Sequence, residues 1–217
     1  MEAQASKDAT RCRRCALAEG RTQVVLPDGP ERGILAIGEA PGASEDVHGV
    51  GFIGLAGKNL DEAFEMANPP ARRNEYARTN IVRCRPPGNR KPVKEEMDAC
   101  SGWLEDTIRV YRPTVLVAVG RTASERLVGG LSGSFLRAVE ECVDAAEKGA
   151  ERGGEGCWEY GDTGLPLVVM PHTSPLSWNR WYDARDGERR PVKDLGRRAV
   201  AAAVLLSSRL SASEGCR

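Results

Sequence analysis

Apolar residues fall along the 217-residue chain in short dense runs separated by charged, periodic stretches. ILAIG (34–38), TNIVR (79–83), TVLVAVG (114–120) and LPLVVMP (165–171) are bounded by glycine, proline or charge, which predicts four buried strands. KNLDEAFEMA (58–67) has helical spacing. From Val93 onward, Met97, Cys100, Leu104, Ile108 and Tyr111 recur three and four residues apart, on one helix face. RTASERLVG (121–129) predicts another helix, and an Ala- and Leu-rich stretch over about 191–210 predicts the last. Strands alternate with helices, so the expected class is α/β: three layers, α/β/α, around a central four-stranded, mainly parallel sheet. Residues 39–57, with five glycines and one proline, predict a loop. CRPPGNRKP (84–92) combines three prolines with a glycine and excludes regular structure. Residues 130–164 carry eight glycines, many charges and little periodicity, and read as a loop excursion. Residues 207–217 read as a disordered tail, which leaves one domain over 1–206.

Composition adds bounds. No apolar run approaches the roughly 20 residues needed to cross a membrane. MEAQASKDATRCRRC at the N-terminus has charges and no apolar segment, so no secretory signal is read there. The expectation is a cytoplasmic protein with reduced thiols. Seven cysteines in such a chain suggest metal ligation before disulfides. The 31 basic and 31 acidic residues cancel, which argues against a general polyanion binder and leaves room for a local basic patch. Arg72, Arg73, Arg78, Arg83, Arg85, Arg90, Lys91 and Lys94 crowd into 23 positions. They read equally well as a solvated face or as a phosphate-contacting surface.

Ligands of such sheets bind beyond the C-terminal ends of the strands. Three loops begin there: GEAPGASED, CRPPGNRKP after Asn80, and HTSPLSW. The cysteines are spaced Cys12-x2-Cys15, then 68 residues to Cys84, then 15 to Cys100. Four thiolates suit tetrahedral zinc or a four-iron cluster, and spacing leaves both open. Cys100 alone also fits as a core thiol on its helix face. Cys142, Cys157 and Cys216 read as free thiols.

These strings resemble the family 4 uracil-DNA glycosylases. GEAPGASED (38–46) looks like their first motif, VGFIGLAG (50–57) like the segment that follows it, and NIVRCRPPGNR (80–90) like their second conserved stretch. HTSPL (172–176) is similar to the third motif. The match runs in order from about Cys12 to Leu176, with 130–164 poorly covered. It implies a 4Fe–4S cluster on Cys12, Cys15, Cys84 and Cys100. It also implies a monofunctional enzyme of base excision repair: a monomer that acts on uracil in single- or double-stranded DNA, lies with the nucleoid when bound, and has no membrane partner.

The resemblance assigns roles residue by residue. Phe52 would stack on a flipped base within walls formed by Gly38, Ala40 and Gly42. The Asn80 amide, a donor beside an acceptor, would pair with uracil O4 and N3–H and mismatch cytosine. His172 would donate to the charge that builds on uracil O2. Glu45 would lie near uracil C5 and repel the thymine methyl. Ala40 stands where the best-known relatives hold a water-orienting aspartate, which leaves Glu39 as candidate base, with Asp46 able to share either acidic task. Ser174, Arg85, Arg90 and Lys91, with Arg83, would contact DNA phosphates, and Leu176 would fill the gap left by the flipped base.

Departures from the pattern are Thr173 in place of a proline and Val50 and Gly51 before the phenylalanine. Trp178, Trp181 and Tyr182 form an added aromatic segment that would stack on DNA or pack against the last helix. CRPPGNRKP runs straight into its helix, without the histidine-bearing insertion of the related uracil-crosslinking proteins, so suicide crosslinking is not expected. The missing aspartate and altered third motif keep a second reading open: a protein that binds damaged DNA on the same scaffold without cleaving it. A third is a zinc or redox protein that uses the four cysteines and ignores DNA.

Overall fold

A computed structural model describes residues 9–214. In chain order the elements are α1 (Leu17–Gly20), β1 (Ile34–Gly38), α2 (Ala43–His48), α3 (Leu55–Glu65), β2 (Ala77–Asn80) and α4 (Lys94–Tyr111). Then come β3 (Val115–Val119), α5 (Arg121–Val128), α6 (Phe135–Glu151), β4 (Leu167–Met170), α7 (Pro175–Trp178), β5 (Trp181–Asp183), β6 (Arg189–Pro191) and α8 (Val192–Glu214).

Four strands form one parallel sheet in the order β2-β1-β3-β4, and β5 and β6 pair as a separate antiparallel hairpin. Every residue of β1, β2, β3 and β4 is buried. Strands covered on both faces read as near-continuous apolar runs, which is why ILAIG and VLVAV lack alternation. Helices cover the sheet to complete the three-layer α/β/α fold. Helix α8 lies along β1, β3 and β4 and packs on α3 and α6. The chain leaves β1 for β2 on one side and reaches β3 on the other. The C-terminal ends of β1 and β3 therefore flank a topological switch point, where such sheets bind ligands.

Several expectations need correction. The stretch 130–164 is not a loop excursion, because it holds the 17-residue α6. Phe135, Ala138, Val139, Cys142, Val143, Ala146 and Ala150 repeat at three- and four-residue steps and are buried. The tail expected from 207 is helix up to Glu214, and Ser207 is buried with its hydroxyl 2.7 Å from that of Thr114. Cys216 lies outside the described residues. The loop expected over 39–57 contains α2 and the start of α3. The second strand ends at Asn80, not Arg83. Ile81 and Val82 still donate backbone bonds to the Gly38 and Glu39 carbonyls, so the segment peels away gradually. Val82 then joins a second apolar cluster, apart from the main core, with Leu17, Val24 and Cys84.

Candidate active site

The loops after β1 and β4, with the last residues of β2 and β3, line a cavity of about 230 Å³ at the switch point. Gly38, Glu39, Ala40, Gly42, Glu45, Phe52, Asn80, Val119, His172 and Thr173 all line it. The sequence-derived pocket residues thus meet in one place.

Phe52 is held tightly. Its φ of 57° is left-handed, which costs a non-glycine residue about 1–2 kcal/mol. Such conformations persist only where the surroundings over-determine them. Gly38 lies under the ring: a Cβ there would stand 2.7 Å from Phe52 Cζ and 2.5 Å from Asn80 Oδ1. Gly57 closes on the other side, where a Cβ would be 1.8 Å from the Phe52 carbonyl oxygen. Arg73 donates to both the Gly51 and Phe52 carbonyls, at 2.9 Å each.

His172 is the second residue of the loop after β4. The Ser174 backbone N–H donates to His172 Nδ1 at 3.0 Å, so in the neutral ring the proton sits on Nε2. Burial lowers the imidazole pKa, against a smaller opposing pull from Glu39. The outcome is a neutral donor lining the cavity. Its ring rests on Gly120, whose φ of 88° and closeness to His172 Cδ2 exclude a side chain.

Glu45 is fixed at the pocket wall by Gly54, whose N–H donates to Oε1 at 3.0 Å. Gly42 leaves room for its other oxygen. Asp46 does not share the pocket. It is buried, and both its oxygens accept the Thr22 N–H at 3.0 Å, which ties the N-terminal segment to α2. His48, read as surface, is exposed. Thr173 is fully buried, its hydroxyl without a partner among the described residues, while its carbonyl accepts Asn59 Nδ2–H at 2.7 Å.

The expected phosphate-contacting loop divides. Arg83 is buried and donates to the Trp103 carbonyl at 2.7 Å and to the Thr107 hydroxyl, so it cannot reach a phosphate. Arg90 is bound by Glu96, at 2.8 and 2.6 Å, and Lys91 lies 3.6 Å from Glu125. Arg85 is partly exposed and bonds Asn89 at 2.7 Å. Leu176 on α7 is 85% exposed. The tryptophans separate as well: Trp178 is buried flush against Gly196 of α8, whereas Trp181 is 56% exposed. A second cleft, on which His172 also borders, is lined by Arg121, Arg180, Ser134 and Ser177. None of these four was singled out from sequence, because they come from three segments with no shared motif.

Cys12, Cys15, Cys84 and Cys100 line a single small cavity between the N-terminal segment and α4. Arg21 donates to Cys84 Sγ at 3.2 Å and Trp103 Nε1–H to Cys12 Sγ at 3.3 Å. Burial raises the Cys84 thiol pKa and pushes Cys100 up to about 11. Donors aimed at sulfur suit an anionic thiolate set. Among the described residues, no three His, Cys, Asp or Glu side chains are gathered to hold a single metal ion. Cys142 is buried in the main core and Cys157 partly so, each with a free thiol.

Fold and pocket define an α/β protein whose site sits at the switch point of a parallel sheet. Residues 27–196 match the Uracil DNA glycosylase superfamily, and the chain belongs to that superfamily. Among similar proteins, the type-4 uracil-DNA glycosylase of Archaeoglobus fulgidus is 41% identical over 115 residues, covering 52% of this chain and 57% of that protein. That of Sulfurisphaera tokodaii is 31% identical over 167 residues, 76% of this chain and 70% of the relative. That of Thermotoga maritima is 36% identical over 140 residues, 64% and 72%. The chain thus spans little more than half of the first relative's length and about 70% of the other two.

Proposed function

We propose that this chain is a uracil-DNA glycosylase, which flips uracil from DNA and hydrolyses its N-glycosidic bond in base excision repair. The observation that carries this reading is the meeting of Phe52, Asn80, Glu45 and a neutral Nε2–H His172 in one cavity. A flipped pyrimidine stacks on the Phe52 face, and its edge meets the Asn80 amide. As the bond breaks, charge grows on uracil O2, and the His172 Nε2–H stabilises it where it develops. A neutral donor serves, because it gains most from the charge of the transition state. Glu39 lines the same cavity and is the candidate to orient water, in place of the carboxylate that Ala40 lacks. The non-catalytic alternative gains nothing from this arrangement, since the donor that a hydrolytic pocket needs is present.

The four-cysteine cavity supports a 4Fe–4S cluster in this reading. One zinc ion requires every sulfur about 2.3 Å from one point, whereas a cluster takes one thiolate at each of four irons. When bound, it would fix the shape of the Cys84–Pro92 loop instead of carrying electrons. That loop brings Arg85 towards the DNA backbone, Ser174 contacts phosphate beside the pocket, and the exposed Leu176 fills the vacated stack. Among the described residues no helix is long and apolar enough to cross a membrane.

The test is incubation with a uracil-containing oligonucleotide followed by alkaline cleavage, with Asn80→Ala and His172→Ala alongside. Wild-type release under multiple turnover, lost in both variants, is expected. No abasic product from the wild-type chain refutes the reading.

A further inference from the structure

Phe52 carries the flat face of the pocket, yet nothing covalent or helical sets its ring. It sits between α2 and α3 in a left-handed conformation that its side chain does not favour. Something outside the loop must hold it. The guanidinium of Arg73 does so by chelating two successive carbonyls, Gly51 O and Phe52 O, at 2.9 Å each. The rigid fork of an arginine meets the pair with one nitrogen on each carbonyl, whereas an ammonium has a single nitrogen on a flexible stem and no fixed fork.

Arg73 is itself fixed from behind. Its Nη1 lies 3.0 Å from the Asp61 carboxylate of α3. Asp61 also accepts the Tyr76 hydroxyl and Arg78 Nη1–H, the latter at 3.3 Å. Arg78, almost fully buried in β2, also donates to the Arg73 carbonyl. Tyr76 stacks on Phe64 with ring centroids 3.8 Å apart. A rigid chain of contacts therefore runs from the core of α3 and β2 to the backbone of Phe52. The Arg73 side chain is still 34% exposed, so it lies outside the packed core.

We propose that Arg73 is a positioning residue for base recognition: by holding the Gly51 and Phe52 carbonyls it sets the plane of the Phe52 ring, and so how tightly the pocket holds a pyrimidine. The proposal rests on the uracil reading above. It makes Arg73 act through Phe52 alone, without touching substrate. Loss of the clamp weakens ground-state and transition-state binding alike, so KM rises while kcat holds.

The experiment is a double-mutant cycle of Arg73→Ala and Phe52→Ala, with Arg73→Lys as a third variant. KM and kcat are measured on a uracil oligonucleotide, and inhibition by free uracil reads the pocket without DNA. Arg73→Ala is expected to raise both KM and the uracil inhibition constant roughly tenfold, and to add less than about twofold in the Phe52→Ala background. Arg73→Lys, which keeps a cationic donor but loses the planar two-nitrogen fork, falls between. Equal effects of Arg73→Ala in both backgrounds, or an unchanged uracil inhibition constant, overturn the proposal. If Arg73→Ala melts early, Arg73→Lys decides: wild-type KM and inhibition there overturn it, and raised values at a wild-type melting temperature support it. A wild-type chain that releases no uracil instead refutes the functional reading, and this proposal with it.

Discussion

Gly38→Ala adds one methyl group at the floor of the pocket. The new Cβ would lie 2.5 Å from Asn80 Oδ1 and 2.7 Å from Phe52 Cζ, against an ordinary contact of 3.4 Å or more. The Asn80 amide must retreat by about 0.9 Å, from 2.5 to 3.4 Å, and the ring tip by about 0.7 Å. Displacements near 1 Å in a recognition site cost on the order of 10²-fold in rate. The atoms that move are side-chain tips facing an open cavity, so the fold should tolerate the change. We expect kcat/KM on a uracil oligonucleotide to fall about 10²-fold, with the melting temperature within a few degrees of wild type. Gly57→Ala is the contrast: its Cβ would stand 1.8 Å from the Phe52 carbonyl oxygen, a backbone atom that cannot rotate away, so that variant should lose stability first. Near-wild-type turnover by Gly38→Ala would refute the assigned geometry of Phe52 and Asn80. So would a loss of turnover fully accounted for by unfolding.

The remaining expectations are shorter. Burial lowers the His172 pKa below its ordinary value near 6.5, so the folded protein binds fewer protons there than the unfolded chain. His172 therefore contributes stability above about pH 6.5 that is lost as pH falls towards its folded value; thermal melts of wild type and His172→Gln against pH should show this acid-side slope only in wild type. Arg83→Met should cost about 1–3 kcal/mol in denaturant unfolding, because the Trp103 carbonyl and the Thr107 hydroxyl each lose a buried charged donor, while the salt dependence of DNA binding stays unchanged. Arg85→Ala should do the reverse, lowering the salt slope by about one without a stability loss. Leu176→Ala should leave the melting temperature alone and reduce turnover more on duplex than on single-stranded substrate, where no stacked gap needs filling.

The order of strands and most helices was legible because buried parallel strands concentrate apolar residues. The pocket was legible because its loops carry recognisable strings. Helix α6 was less legible, although its periodicity runs from Phe135 to Ala150. Its apolar face is built mostly of Ala, Val and Cys, and the glycines on either side give the stretch the composition of a loop. The basic run from Arg72 to Lys94 was visible as charge, but its destinations were not. Arg78 points inward because Asp61, 17 positions earlier, waits there, and Arg83 because α4 offers it a carbonyl and a hydroxyl. The role of Arg73 depends on the left-handed turn at Phe52, which no local pattern announces. Partners distant in sequence decide whether a cation faces solvent, and one-dimensional spacing does not carry that information.

The second apolar cluster lies beside the pocket and is joined to the main core through Met97. Leu17, Val24, Val82 and Cys84 pack together, with Cys15, Cys100, Ala40 and Met97 against them, and Met97 also packs on the core that covers the sheet. So small a cluster is expected to open at lower free energy than the sheet. Ala40 belongs both to this lobe and to the wall of the pocket. Opening there would release one side of the binding cavity while leaving the sheet in place. Amide exchange would show it as shared protection between residues 17–24 and the loop after β1, lower than that of β3. In the proposed reading, a group that ties the four cysteines together would hold this lobe shut and so keep that wall of the pocket in place.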